Sequence, residues 1–202
     1  MLKTRALVGW LTLTILIGCT PPVTTGITAY AQADAGARKR FVLQGPDPRF
    51  PGGDPRWPVF SQILTRALVA KGFVPDATAP EVIIRVTYRV GDTQTYTFTT
   101  TTPAPTDANG VPVGPPTEST STSESTMRAI QLEALDPASI LAGKPLVLWR
   151  THAISRGAED DLAVAFPAMV ASMEEYFAGT ATIMVKVDKK KSDPETQRLA
   201  LP

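Results

Sequence analysis

The chain has 202 residues, 43% of them apolar and 19% charged, with 20 basic residues against 19 acidic ones. That composition suits one globular domain with tails and excludes the basic field by which nucleic-acid binders are held. One cysteine excludes an internal disulfide and any cysteine-cluster metal site, while 19 prolines, about twice ordinary usage, point to loops and tails.

Lys3 and Arg5 precede an apolar run, Ala6 to Gly18, that is too short for a hydrocarbon core needing about 20 residues. A charged start followed by a short apolar run has the layout of a secretory leader. The run closes as Leu16-Ile17-Gly18-Cys19, which resembles the bacterial lipobox: a branched apolar residue, a tolerant position, a small residue, then Cys. The resemblance implies that the Cys19 thiol receives a diacylglyceryl group, that residues 1–18 are cut away, and that the new amine is acylated. A thiol is the side chain nucleophilic enough for that alkylation. The competing reading is an ordinary signal peptide cut at Ala31-Gln32-Ala33, well beyond the apolar run. Losing Lys3 and Arg5 would leave the basic residues one fewer than the 19 acidic ones. Two or more acyl chains give stable anchoring. In enteric-type lipoproteins an Asp after the Cys retains the protein in the inner membrane; Thr20 stands there, which implies the outer membrane, facing the periplasm.

Residues 19–38 show neither strand nor helix periodicity and read as a flexible tether. From residue 39 the pattern changes. Phe41 to Leu43 reads as a short strand before a Gly/Pro-rich loop. Phe60, Ile63, Leu64, Ala67 and Leu68 fall on one helical face, with Ser61, Gln62, Thr65 and Arg66 opposite, and Gly72 suits the position after the helix end. Val82, Ile84, Val86, Tyr88 and Val90 alternate with polar residues as in a half-buried strand. Gly91-Asp92 predicts a tight turn into a second, Thr-rich strand over 93–102, closing a hairpin.

Residues 103–126, dense in Pro, Ser and Thr, predict a loop: the tip of a long hairpin or an insertion between strands. Ile130, Leu132 and Ala134 then share a strand face. Val147, Trp149, Thr151 and Ala153 form another, opposite Leu148, Arg150 and His152. Leu162, Phe166, Met169, Val170, Met173 and Phe177 have helical spacing, with Pro167 expected to kink or divide that helix. Ile183, Val185 and Val187 predict a last strand, and 188–202 a disordered tail.

The element order predicts an α+β domain over 39–187: a mostly antiparallel β-sheet with two helices packed on one face. The lipobox, "ALVAKGF", "APEVIIRVTYRV" and "GKPLVLWRTHAIS" resemble the bacterial lipoproteins catalogued as domain of unknown function 4136, the "LVLWR" strand standing here as Leu146 to Arg150. That family carries no established activity, so the resemblance implies fold and location and adds no mechanism.

The residues offer little catalytic chemistry. His152 is the single histidine, and a lone histidine without a nucleophile or ligand neighbours is a poor catalyst. Glu159, Asp160 and Asp161 read as complements of a helix dipole before they read as a cation site. Glu174 and Glu175 read as a wet helix face. Trp149, which has the chemistry to stack on a sugar or lipid, reads first as a core residue between sheet and helix, beneath Phe60, Ile63 and Leu64. Tyr88, Tyr96 and Phe98 read likewise as core, with an exposed aromatic strip as the alternative. The chain is therefore expected to be no enzyme, to take no cofactor or metal and no nucleic acid, and to hold the membrane through Cys19. Two roles remain: an envelope accessory whose sheet edge or helix-free face docks a protein partner, or a binder of a lipid-like or other apolar small molecule between sheet and helices.

Overall fold

The computed structural model describes residues 23–46 and 54–187. The leader, Cys19 and the tail 188–202 lie outside the described residues.

The chain forms an α+β domain around one seven-stranded sheet. In chain order the strands are β1 (Val23–Ala31), β2 (Arg40–Gln44), β3 (Val74–Pro75), β4 (Val82–Thr102), β5 (Thr117–Leu135), β6 (Val147–Gly157) and β7 (Ala181–Val187). Across the sheet they lie β3-β2-β4-β5-β6-β1-β7. The sheet is mixed: β2 pairs parallel with β3 and β4, while β4-β5, β5-β6, β6-β1 and β1-β7 are antiparallel. Parallel neighbours need a crossover, and the helix α1 (Trp57–Ala70) between β2 and β4 supplies it.

The expected tether is corrected here. Residues 23–31 form β1, an interior strand held by β6 on one side and β7 on the other. Its core-facing residues are Val23, Thr25, Ile27 and Ala29, all buried. Two of those four are Thr and Ala, so the alternation carries little hydropathy contrast. The domain thus begins at or before Val23, sixteen residues ahead of the expected start.

α1 buries Phe60, Ile63, Leu64, Ala67 and Leu68. It ends in a Schellman motif: Phe73 N–H donates to the Leu68 carbonyl at 3.0 Å and Gly72 N–H to Val69 at 2.9 Å, with Gly72 at φ +80°. The later helix α3 (Leu162–Met173) runs unbroken through the buried Pro167 and passes into a 3-10 turn, Glu174–Tyr176. Phe60 of α1 stacks on Phe166 of α3, centroids 3.8 Å apart. Both helices join one core with Ile84, Val86, Ile130, Leu132, Trp149, Ala153 and Ile27 of the sheet. A short helix α2 (Pro137–Leu141), capped by Asp136 accepting from Ser139 N–H at 2.9 Å, went unpredicted.

The expected turn at Gly91-Asp92 is a bulge instead. β4 runs straight through it, with a register shift between Val90 and Thr93, and pairs with β5 from Ile83↔Leu135 out to Thr102↔Thr117. Residues 117–126, expected as loop, are therefore strand. Beyond Thr93↔Thr126 the hairpin leaves the sheet as a two-stranded ribbon, closed by a tip in which Asp107 accepts from the N–H groups of Asn109 and Val111.

Candidate functional site on the open sheet face

Both long helices cover one face of the sheet. Strand register then arranges the other, helix-free face in rows. Lys186, Thr24, Arg156 and Met127 stand side by side across β7, β1, β6 and β5. Next come Met184, Gly26, Ile154, Ala129 and Arg89, then Thr182, Thr28, His152, Gln131 and Thr87. A last row runs Tyr30, Arg150, Glu133, Arg85 and Gln44.

The second row makes a hollow. Gly26 has no side chain between Met184 and Ile154; a Cβ there would lie 3.2 Å from the Met184 sulfur. The missing group leaves a depression of about 420 Å³ over Gly26, walled by Ile154, Met184, His152 and Arg156. That volume falls within the roughly 300–1,000 Å³ of small-molecule sites. A second hollow, about 320 Å³, lies between Arg89, Gln131 and His152. The indented face is thus apolar over Gly26, with Arg89, Arg156 and Lys186 around that hollow and Arg85, Arg150 and Glu133 at the other end of the strands.

His152 sits between the two hollows, half-buried. Burial, then the charges of Arg89 and Arg150, push its imidazole below its ordinary value, so the neutral ring is favoured. Arg150 is tied to Glu133, with Nε and Nη2 at 2.8 and 2.6 Å from Oε1. No hydroxyl or thiol nucleophile is hydrogen-bonded to the ring among the described residues. The arrangement can bind an anion or an apolar group, and it supplies no activated nucleophile.

The other predicted residues scatter. Trp149 is fully buried on the helix side, in the same core as Phe60, Ile63 and Leu64, and its nearest aromatic partners are Phe73 and Phe177, with centroids 6.2 and 6.1 Å away. Asp161 caps α3, accepting from Ala163 N–H at 2.8 Å. The Glu159 carbonyl accepts from Arg128 Nη1 at 2.6 Å, and Asp160 is exposed. Glu174 and Glu175 start the 3-10 turn. Among the described residues no cluster of His, Cys, Asp or Glu is placed to hold a metal ion.

The aromatic trio also divides. Tyr88 is half-buried against Phe60 and donates its hydroxyl to Asp54 at 2.8 Å. Asp54 is held well below the usual carboxylate range, chiefly by the Arg56 guanidinium. Tyr96 and Phe98, expected in the core, are 43% and 55% exposed on the ribbon and stack on each other at 6.4 Å. The bulge keeps them on the same side as the helix-free face.

Two residues had no sequence signal. Gly26 lies in a segment read as tether. Arg128 is 2% exposed on the helix side, donating also to Ser155 Oγ at 3.4 Å, with Nε unpartnered among the described residues; it ties the loop before α3 to the sheet.

No family model matches the chain, and no curated protein matches it. Among solved structures it is similar to a PDZ domain protein from Parabacteroides distasonis, at 13% identity and a TM-score of 0.45, covering 83% of this chain and 39% of that one. It is also similar to PelC, solved as a dodecamer from Paraburkholderia phytofirmans, at 11% identity and a TM-score of 0.38, covering 77% of this chain and 98% of that one. The chain spans well under half of the first of these proteins. At such scores neither likeness carries a functional argument.

Proposed function

We propose that this chain is a lipid-anchored, periplasm-facing outer-membrane lipoprotein, a non-catalytic accessory of the cell envelope that works through its helix-free sheet face. The observation that carries the reading is the lipobox Leu16-Ile17-Gly18-Cys19 behind a charged, short apolar leader. The resemblance to domain of unknown function 4136 supports the same location. The indented face, flanked by arginines, is the surface such a protein would offer to what it meets. A second reading, a binder of a lipid-like molecule, is favoured by the depression over Gly26. The space between sheet and helices, where that ligand was expected, is filled by Phe60, Phe166 and Trp149.

Replacing Cys19 by Ser is expected to leave an uncleaved, unlipidated precursor in the native host. Detergent-phase partitioning and intact mass decide it, and a mature, unmodified N-terminus at Asp34 would end the lipoprotein reading. Native mass spectrometry of the mildly extracted protein separates the two roles: a retained small apolar molecule supports the second.

A further inference from the structure

Register fixes the end of the sheet from which the anchor leaves. Val23 pairs with Val187, Thr25 with Ser155, and Thr126 with Gly157. The start of β1, the ends of β6 and β7, and the base of the ribbon therefore lie at one end. Three residues, Thr20, Pro21 and Pro22, separate Cys19 from Val23, so Cys19 lies at most about 14 Å from the first strand residue. The ribbon, ten pairs from Thr93↔Thr126 to Thr102↔Thr117, continues about 30 Å past that same end, two strands (about 10 Å) from β1. An acylated Cys19 thus holds the ribbon's base close to the bilayer, and the ribbon is more than twice as long as the linker.

The ribbon's composition is divided by face. Thr93, Thr95, Thr97, Thr99 and Thr101 share one side with Glu118 and Glu124. The other side carries Gln94, Tyr96, Phe98, Thr100 and a row of serines, with no charge. This uncharged side continues the helix-free face at its anchor end, where Arg89, Arg156 and Lys186 are exposed beside Met127, Ile154 and the 69% exposed Met184. None of these three cations is ion-paired among the described residues. Asp92 is the acid on this part of the face, while Glu159, Asp160 and Asp161 lie in the loop before α3. The Tyr96 ring, with an apolar body and a polar tip, suits the headgroup level of a membrane, with the apolar Phe98 ring stacked on it, and unpaired arginines and lysine suit anionic headgroups.

We infer that the partner of this face is the anionic phospholipid surface of the membrane that holds Cys19. The ribbon lies against it through Tyr96 and Phe98, and Arg89, Arg156 and Lys186 meet the phosphates. The inference rests on lipidation of Cys19. A two-stranded ribbon is marginal alone in water, and a membrane contact gives it the support it lacks in the isolated domain.

The test uses the lipidated full chain bearing one added thiol, Phe98→Cys, labelled with an environment-sensitive fluorophore. Leu141→Cys in α2, at the opposite end of the sheet, is the control. In vesicles of phosphatidylcholine and phosphatidylglycerol carrying a spin-labelled lipid, position 98 is expected to be quenched and position 141 not. An unlipidated chain starting at Thr20, without the leader, is expected to bind the same vesicles in low salt, more weakly by about fivefold for each of Arg89→Gln, Arg156→Gln and Lys186→Gln. A lipidated, vesicle-bound protein whose position 98 stays unquenched overturns the inference and leaves the lipoprotein reading standing. So does a thiol-attached photo-crosslinker at position 98, used in place of the fluorophore, that captures a second copy or a protein partner instead of lipid. Equal binding to pure phosphatidylcholine overturns the anionic part, and an unmodified Cys19 removes both readings.

Discussion

At the scale of the residue, Trp149 shows how far sequence alone reaches. Its alternation with Val147, Thr151 and Ala153 makes it readable as a core residue, and it is fully buried. What it touches was not readable. Phe73 reaches it only because the Schellman turn at Gly72 folds the chain back, and Phe177 only because α3 gives way to a 3-10 turn. Its indole Nε1 has no acceptor among the described residues, so the residue combines large apolar burial with one unpaid polar group. Trp149→Ala is expected to cost about 3–5 kcal/mol, a large share of a domain's net stability. Trp149→Phe should cost much less, since it keeps the ring contacts and removes the unsatisfied N–H. Denaturant titration of chains starting at Thr20 measures both. Emission from Trp149, with Trp57 changed to Phe, should be blue and shielded from iodide. Red, freely quenched emission would put the indole on the surface, and the ligand-stacking role would then come first.

At the scale of the element, legibility follows hydropathy contrast. α1 and α3 were readable because large apolar residues recur at helical spacing on their core faces, Phe60, Ile63, Leu64 and Leu68 in α1 and Leu162, Phe166, Met169, Val170 and Met173 in α3. β1 was not, because Thr25 and Ala29 fill its core face and Gly26 interrupts the other. The ribbon was not readable for a different reason: Ser/Thr-rich sequence without a core looks the same whether it is loop or paired strand. Only the pairing of Thr93 to Thr102 with Thr117 to Thr126 distinguishes them. The same absence of core yields a prediction. Residues 94–125 contribute almost nothing to the buried cluster, and Thr93 and Thr126 face each other with hydroxyls 2.7 Å apart. Replacing 94–125 by Asn-Gly joins a paired position through a two-residue turn of the favoured kind. The midpoint of thermal unfolding is expected to move little. A cooperative loss of folding would show that the ribbon supports the sheet it leaves.

At the scale of the molecule, β1 decides whether the sheet is one structure or two pieces. It lies between β6 and β7, and β7 has β1 as its pairing partner. A chain begun at Lys39, the start that composition suggests, loses Val23 and Ile27 from the core, leaves the edge of β6 unpaired and strands β7. Burying one such side chain is worth about 1.5–3 kcal/mol. Two of them, with Ala35 and two ladders of backbone hydrogen bonds, approach the 5–15 kcal/mol (roughly) by which a domain is stable at all. The open β6 edge, carrying Trp149 and Ala153, would also be a template for aggregation. The expectation is that the chain from Thr20 unfolds cooperatively, while the chain from Lys39 is insoluble or shows no cooperative transition. Circular dichroism and heating of the two, side by side, measure it. A well-folded chain from Lys39 would mean that β1 is dispensable, that the order β6-β1-β7 is wrong, and that Cys19 is tethered at a distance after all, which would also release the ribbon from the membrane.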